Sequence, residues 1–277
     1  MHRIGIENFG CMVTNKCNLN CAHCMRGCKN NKSMQQDVIE AFFKQVAFVG
    51  NLCLCGGEIT LATETIKRIF DYIEKKNILL GQVTTVINGT NYSEEFLQLL
   101  DEINQYIKTS FDNSEESCAT FTISYDEYHK SEIERLHLWK QYLENVQRYQ
   151  QSIHFAGMQG LDSTLKLFRE GNAQSLDTSL TVLLKPFNWY STYMGQNHSF
   201  DEQNGVLYVG PLVTVNVDGI ITECDASIEH MGNKYNYGSI LTESLEEIIE
   251  RKSKVLRPHK CFEKWSKEQK RYQNYNK

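Results

Sequence analysis

Apolar residues along the first 160 positions recur in two alternating rhythms. "RIGIENFGCMVT" (3–14) reads as a strand that runs into a cysteine-rich loop. "VIEAFFKQVAFV" has helical spacing and precedes "NLCLC", a short buried strand bounded by Gly56-Gly57. Ile66, Ile69, Phe70 and Ile73 then fall at i, i+3, i+4 and i+7, one face of a helix. "QVTTVI" is a strand ending at Asn88-Gly89, and "SEEFLQLLDEINQYI" is a helix with Ser93 as its N-cap. "CATFTIS" is the next strand. "EIERLHLWKQYLENV" reads as one helix with Ile133, Leu136, Leu143 and Val146 on its inner side, and "SIHFAG" as a further strand.

Strand then helix, repeated in this way, predicts a parallel sheet with helical crossovers. In such folds ligands bind beyond the carboxyl ends of the strands. The unusual residues fall there: the cysteine loop, Gly56-Gly57-Glu58, Asn88-Gly89 and Ser124-Tyr125-Asp126. After about residue 175 the rhythm weakens. "GVLYVGPLVTVNVDGIITECD" reads as a hairpin turning at Asp218-Gly219, and "SLEEIIERKSKVL" as a helix.

The 277 residues, 41% hydrophobic and 23% charged, suit one large folded domain, alone or with a small appendage. The N-terminus lacks the apolar core of a signal peptide, and no stretch approaches the roughly 20 apolar residues of a membrane span. A cytoplasmic enzyme without a membrane partner is therefore expected. In that compartment, clustered cysteines among the ten suggest metal or redox chemistry, and scattered ones are small buried hydrophobes. The net charge of −5 hides a basic end, with ten Lys/Arg against three acids from Glu250 to Lys277. Phe262, Trp265, Tyr272 and Tyr275 lie among them. The plain reading is a solvated helix capping the fold. The alternative is a grip on an acidic peptide or nucleic acid, and a nucleic-acid partner is not expected.

The densest chemistry lies in "CNLNCAHCMRGC", where Cys17, Cys21 and Cys24 read C-x3-C-x2-C and Cys28 follows. All four thiols could close a structural zinc site. A bacterial ferredoxin run does not fit, because the first gap is three residues and Lys29, not proline, follows Cys28. Using three thiolates instead leaves an open metal position, which is what a catalytic site needs.

Here the sequence resembles the radical S-adenosylmethionine (radical SAM) superfamily. "CNLNCAHC" is similar to its C-x3-C-x-φ-C signature, "CLCGGE" to its Gly-Gly-Glu motif, "VINGT" to its Asn-Gly stretch, and "ISYDEYH" to its Ser-x-Asp segment. The order matches over about residues 10 to 130. The resemblance implies that Cys17, Cys21 and Cys24 bind a [4Fe–4S] cluster and that S-adenosylmethionine (SAM) fills the open iron. It further implies close backbone approach at Gly56 and Gly57, orientation of the SAM ammonium near Glu58, and polar contacts from Asn88 and Ser124. His23 would give backbone contacts near the adenine. Reductive cleavage of SAM would yield a 5′-deoxyadenosyl radical that abstracts a substrate hydrogen. The implied fold is a partial (β/α)6 barrel over residues 1–185 with a small twitch-like α+β appendage over 186–277. A flavodoxin- or ferredoxin-type protein would supply electrons.

Cys28 is expected to be a thiol near the cluster rather than a ligand, and Cys11, Cys53, Cys55 and Cys118 to be core packing. His129 is expected to start a helix. "VDGIITECD" resembles the start of an auxiliary-cluster domain in peptide-modifying radical SAM enzymes, but the other ligand cysteines of that domain are missing. One cluster per chain is expected, with Cys224 either without a role or a hydrogen-atom donor to the substrate radical. The appendage tilts the substrate toward a ribosomally made peptide, although no N-terminal leader-recognition domain is evident. A nucleoside or small metabolite is the alternative, and a non-catalytic four-cysteine zinc or iron–sulfur module is the rival class.

Overall fold

The computed structural model describes residues 3–27, 29–111, 119–126, 128–146, 153–159, 167–183, 200–201, 205–210, 212–222 and 236–252. Five strands alternate with helices: β1 (Arg3–Thr14), α1 (Gln36–Phe43), β2 (Val46–Gly56), α2 (Thr63–Lys75), β3 (Leu79–Ile87), α3 (Glu94–Phe111), β4 (Ala119–Ser124), α4 (Lys130–Leu136), α5 (Leu138–Val146) and β5 (Ile153–Gln159). Short elements follow: β6 (Leu167–Phe168), β7 (Thr181–Val182), β8 (Phe200–Asp201), β9 (Val206–Val209), β10 (Val213–Val215), β11 (Ile220–Thr222), β12 (Gly238–Ser239) and α6 (Leu245–Lys252).

Strands β1 to β5 pair in parallel in chain order. The sheet continues past β1 on its other edge, where β9 and β10 both pair with it in parallel, one beyond the other. β10 and β11 then form the antiparallel hairpin expected at Asp218-Gly219, with Gly219 at φ +79°. The result is an α/β fold with a partial, open barrel, and strands from beyond residue 200 belong to the same sheet.

Helices α1 to α3 cover one face of the sheet. The predicted stripe Ile66, Ile69, Phe70 and Ile73 is buried, and Phe9 of β1 stacks on Phe42 of α1 with ring centroids 4.3 Å apart. Ser93 caps α3 through a bond from Phe96 N–H to its Oγ, 3.1 Å.

Two predicted helices differ from expectation. The one over "VIEAFFKQVAFV" stops at Phe43, and Val46–Val49 belong to β2, because that segment pairs with Ile4–Ile6 of β1. Tertiary pairing here overrides local spacing. The one over "EIERLHLWKQYLENV" is broken in two by His137, which takes a left-handed conformation (φ 55°) and closes α4 onto Ile133 O. Ile133 is buried and Leu136 half-buried; the side chains of Leu143 and Val146 lie outside what the structure describes.

Among the described residues, the other face of the sheet is polar toward the cavity, and a small buried cluster of Ala47, Phe48, Val206 and Tyr208 stands apart from the main core. Asn51, Cys53 and Cys55 alternate with buried Leu52 and Leu54 on β2, and all three are half-buried. Thr84 Oγ1 on β3 donates to Asn51 Oδ1 on β2 at 3.0 Å, and Asn51 faces Asn8 on β1. Cys53 and Cys55 do share one side, as their spacing required. That side is this polar face, however, and not the core, which corrects the packing role expected for them.

The stacked Phe9 is the pivot of the helix-covered face. Phe9→Ala is expected to lower stability by about 3–5 kcal/mol, read as a shift in the urea midpoint with an unchanged slope.

Candidate active site at the carboxyl ends of the strands

A cavity of about 370 Å³ opens at the strand ends. Cys17, Cys21, His23, Cys24, Gly56, Gly57, Asn88 and Ser124 all line it, so eight positions expected from the sequence meet in one place. Cys53 and Cys55 line it as well. Glu58 does not, while Cys28, Cys118, Cys224, Cys261 and residues 253–277 of the basic end lie outside the described residues.

The cysteine loop is tied at its base. Met34 N–H donates to Val13 O and Asn15 N–H to Lys32 O, both at 2.9 Å, while Thr14 Oγ1 donates to Lys32 O. The Gly-Gly-Glu turn then grips the first half of the loop. Gly57 N–H donates to Thr14 O and Glu58 N–H to Lys16 O, each at 2.8 Å. A Cβ on Gly57 would lie 2.1 Å from Lys16 O, and one on Gly56 (φ +144°) 2.3 Å from Thr14 O. These glycines are therefore required first by the approach of the cysteine loop itself.

Glu58 acts from below the cavity floor. Its side chain is fully buried and accepts from Thr60 Oγ1 (2.6 Å), Thr60 N–H (3.2 Å) and Asn88 N–H (2.7 Å). Burial raises its pKa, and these donors work in the opposite direction. Asn88 passes the restraint on: its Nδ2 donates to Asn18 Oδ1 at 2.8 Å, and its Oδ1 accepts from Thr90 N–H and Oγ1. Asn18 Nδ2 in turn donates to Thr90 Oγ1 at 2.9 Å. Asn18 lies between Cys17 and Cys21, so the third strand end also fixes the loop. A fourth restraint comes from Asn172, whose Nδ2 donates to Cys21 O (3.0 Å) and whose N–H donates to Cys24 O (2.8 Å).

The β4 end contributes Asp126 and His129, both buried. His129 Nδ1 lies 2.8 Å from each Asp126 carboxylate oxygen, and its Nε2 lies 3.5 Å from Cys21 Sγ. Burial opposes the ring's charge, but Asp126 and the Cys21 sulfur raise its pKa to about 9. Burial likewise works against the Asp126 charge, and His129 and His23 outweigh it and hold that carboxyl below its usual range. His23 stacks on Tyr128 with centroids 4.3 Å apart. His129 thus stands at the helix start, as expected, with its ring turned onto the cysteine loop.

Sequence reasoning missed Asn18 and Asn172, and it singled out Asp126 and His129 without their bond to each other or the contact with Cys21. Asn18 carried a weak signal, as a polar residue inside the motif; Asn172 sits in a polar loop 151 residues from its partner and carried none.

The donor set suits an iron–sulfur cluster. Cys17, Cys21 and Cys24 are half-buried free thiols lining one cavity, and soft thiolates are the ligands such clusters take. Burial raises the Cys17 thiol pKa, and the Leu19 N–H directed at its sulfur opposes that rise. The sequence pattern of the Radical SAM superfamily matches residues 11–162, more than half of the chain. The chain belongs to this superfamily and is an enzyme of it, with a [4Fe–4S] cluster and SAM as its cofactors.

An uncharacterized protein of Methanocaldococcus jannaschii, MJ0907, is 29% identical over 118 residues, a stretch covering 40% of each chain. Among solved structures, anSMEcpe with bound AdoMet and the Cp18Cys peptide aligns with 92% of this chain and 82% of its own, at 15% identity and a TM-score of 0.48. Streptococcus suis SuiB bound to its precursor peptide SuiA aligns over 91% and 66%, at 11% identity and a TM-score of 0.40.

The tight seat under Gly57 gives a direct check. Gly57→Ala must push the Lys16 carbonyl away, and iron bound after anaerobic reconstitution should fall several-fold while the far-ultraviolet spectrum is retained.

Proposed function

We propose that Cys17, Cys21 and Cys24 hold a single [4Fe–4S] cluster, that SAM lies against Gly56, Gly57, Asn88, Ser124 and the backbone near His23, and that the substrate is a ribosomally made peptide. The observation that carries the site assignment is the meeting of three half-buried thiols and the Gly-Gly turn around one cavity. When bound, the cluster and SAM supply one-electron cleavage of SAM and a radical that removes a substrate hydrogen.

The residues of the chain do the positioning. Glu58 and Asn88 set the cavity floor, and we assign Glu58 an indirect part in orienting SAM, through Asn88, because its oxygens are already engaged. The polar inner face, with Asn8, Asn51 and Thr84, offers amide and hydroxyl groups of the kind that pair with a peptide backbone. The likeness of "VDGIITECD" to the start of an auxiliary-cluster domain supports the same substrate class. We divide the chain into a catalytic core over residues 1–185 and a C-terminal part over 186–277 without a second cluster, and take a flavodoxin- or ferredoxin-type protein as electron donor.

Anaerobically reconstituted protein should be brown, carry about four irons per chain, and release 5′-deoxyadenosine from SAM on reduction. Alanine at Cys17, Cys21 or Cys24 should abolish both cluster and cleavage. About eight irons per chain would overturn the single-cluster reading. A hydrogen-atom donor role for Cys224 requires that Cys224→Ala still cleave SAM but stop or divert the peptide product; an unchanged product leaves Cys224 without a role.

A further inference from the structure

His129 stands between two groups that both attract a proton. Its Nδ1 faces the two oxygens of Asp126 at 2.8 Å, and its Nε2 faces Cys21 Sγ at 3.5 Å, within the reach of an N–H···S bond. The carboxylate cannot turn away, because the same Oδ1 also accepts from the backbone N–H groups of Tyr128 (2.9 Å) and His129 (3.1 Å). On the other side of Asp126 the His23 Nε2 lies 3.7 Å from Oδ2, and the His23 ring meets the His129 ring edge-on with centroids 5.1 Å apart. Asp126 and His129 are each only 8% exposed, so water does not compete at full strength for these bonds. A Cys21 thiolate, as a cluster ligand would be, accepts only, so an Nε2–H at this distance points its proton at sulfur while Nδ1 keeps its bond to Asp126.

We propose that Asp126 and His129 form a positioning pair that donates a hydrogen bond to the Cys21 sulfur and thereby raises the reduction potential of the cluster that Cys21 helps to hold. This rests on Cys21 being a ligand. A reduced cluster carries more negative charge on its sulfurs, so a donor aimed at one of them stabilises the reduced form more than the oxidised form. The loop sequence alone cannot supply this donor; it arrives from β4, 108 residues away. His23, Asp126 and His129 also form a group of the kind that can take a divalent cation. The 2.8 Å contact between His129 and Asp126 has the length of a proton-filled bond, and the test separates the two uses.

The experiment is a redox titration of the fully reconstituted enzyme, followed by electron paramagnetic resonance, on wild type, His129→Asn, His129→Leu and His129→Gln. Asn and Leu place no donor where Nε2 was, while the longer Gln amide reaches that position. At full iron content, Asn and Leu should shift the reduction equilibrium about tenfold toward the oxidised cluster, about 59 mV lower for one electron. Gln should recover most of the shift. Equal potentials in wild type and either donor-free variant overturn the proposal, as does a Gln variant no better than Leu. One equivalent of zinc or manganese in the wild-type enzyme that disappears in His129→Asn overturns it in favour of a cation site. Cys21→Ala separates the underlying assignment: a full cluster in that variant sinks the ligand reading, whereas an unchanged potential in the His129 variants sinks only the hydrogen bond.

Discussion

Everything at the strand ends depends on a short reach between backbones: Gly57 and Glu58 N–H to the carbonyls of Thr14 and Lys16. The loop from Asn15 to Ser33 offers few large apolar side chains, so burial alone cannot set its shape. Directed hydrogen bonds have to do so. They come from successive strand ends: the Gly-Gly-Glu turn after β2, Asn88 after β3 and His129 after β4, with Asn172 adding a fourth. A parallel sheet makes this convergence available because all its carboxyl ends face one way.

Glu58 shows how the restraints are coupled. One buried carboxyl group joins the turn after β2 to the first residue after β3, and Asn88 hands the constraint to Asn18 inside the cysteine loop. A buried carboxyl with unfilled acceptors is costly, so its partners are held as firmly as it is. The cysteine spacings are thus backed by bonds that begin on separate parts of the fold: Asn88 after β3 for the first, and Asn172 for the second. Ligands placed this way lose less entropy when a metal centre assembles, and metal binding in turn adds to the stability of the fold.

The alternation of strand and helix was legible because apolar spacing records it directly, and Cys17, Cys21 and Cys24 because they are close in sequence. What stayed hidden has one physical cause: local pattern does not carry the identity of a distant partner. The period of two put Cys53 and Cys55 on one side of β2, but not which side. Val46–Val49 fit a helical stripe as well as a strand until β1 was available to pair with them. The break at His137 had no glycine or proline to mark it. Asn172 is one polar residue among several in its loop, and Asp126–His129 became meaningful only when folding brought Cys21 within reach.

The placement of β9 and β10 along β1 has a consequence for how the chain comes to be folded. β1 precedes every other strand of the sheet in chain order, yet one of its edges is completed by Val206–Val209 and Val213–Val215, about two hundred residues later. Closing so long a loop carries an entropic cost that the helix-covered side of the sheet does not bear. During synthesis the β1–β5 side can assemble while that edge still shows bare N–H and C=O groups, an invitation to mispairing. Maturation of this protein therefore has a late step built into its topology, and β1 waits for residues 206–215 before its hydrogen bonds are all made.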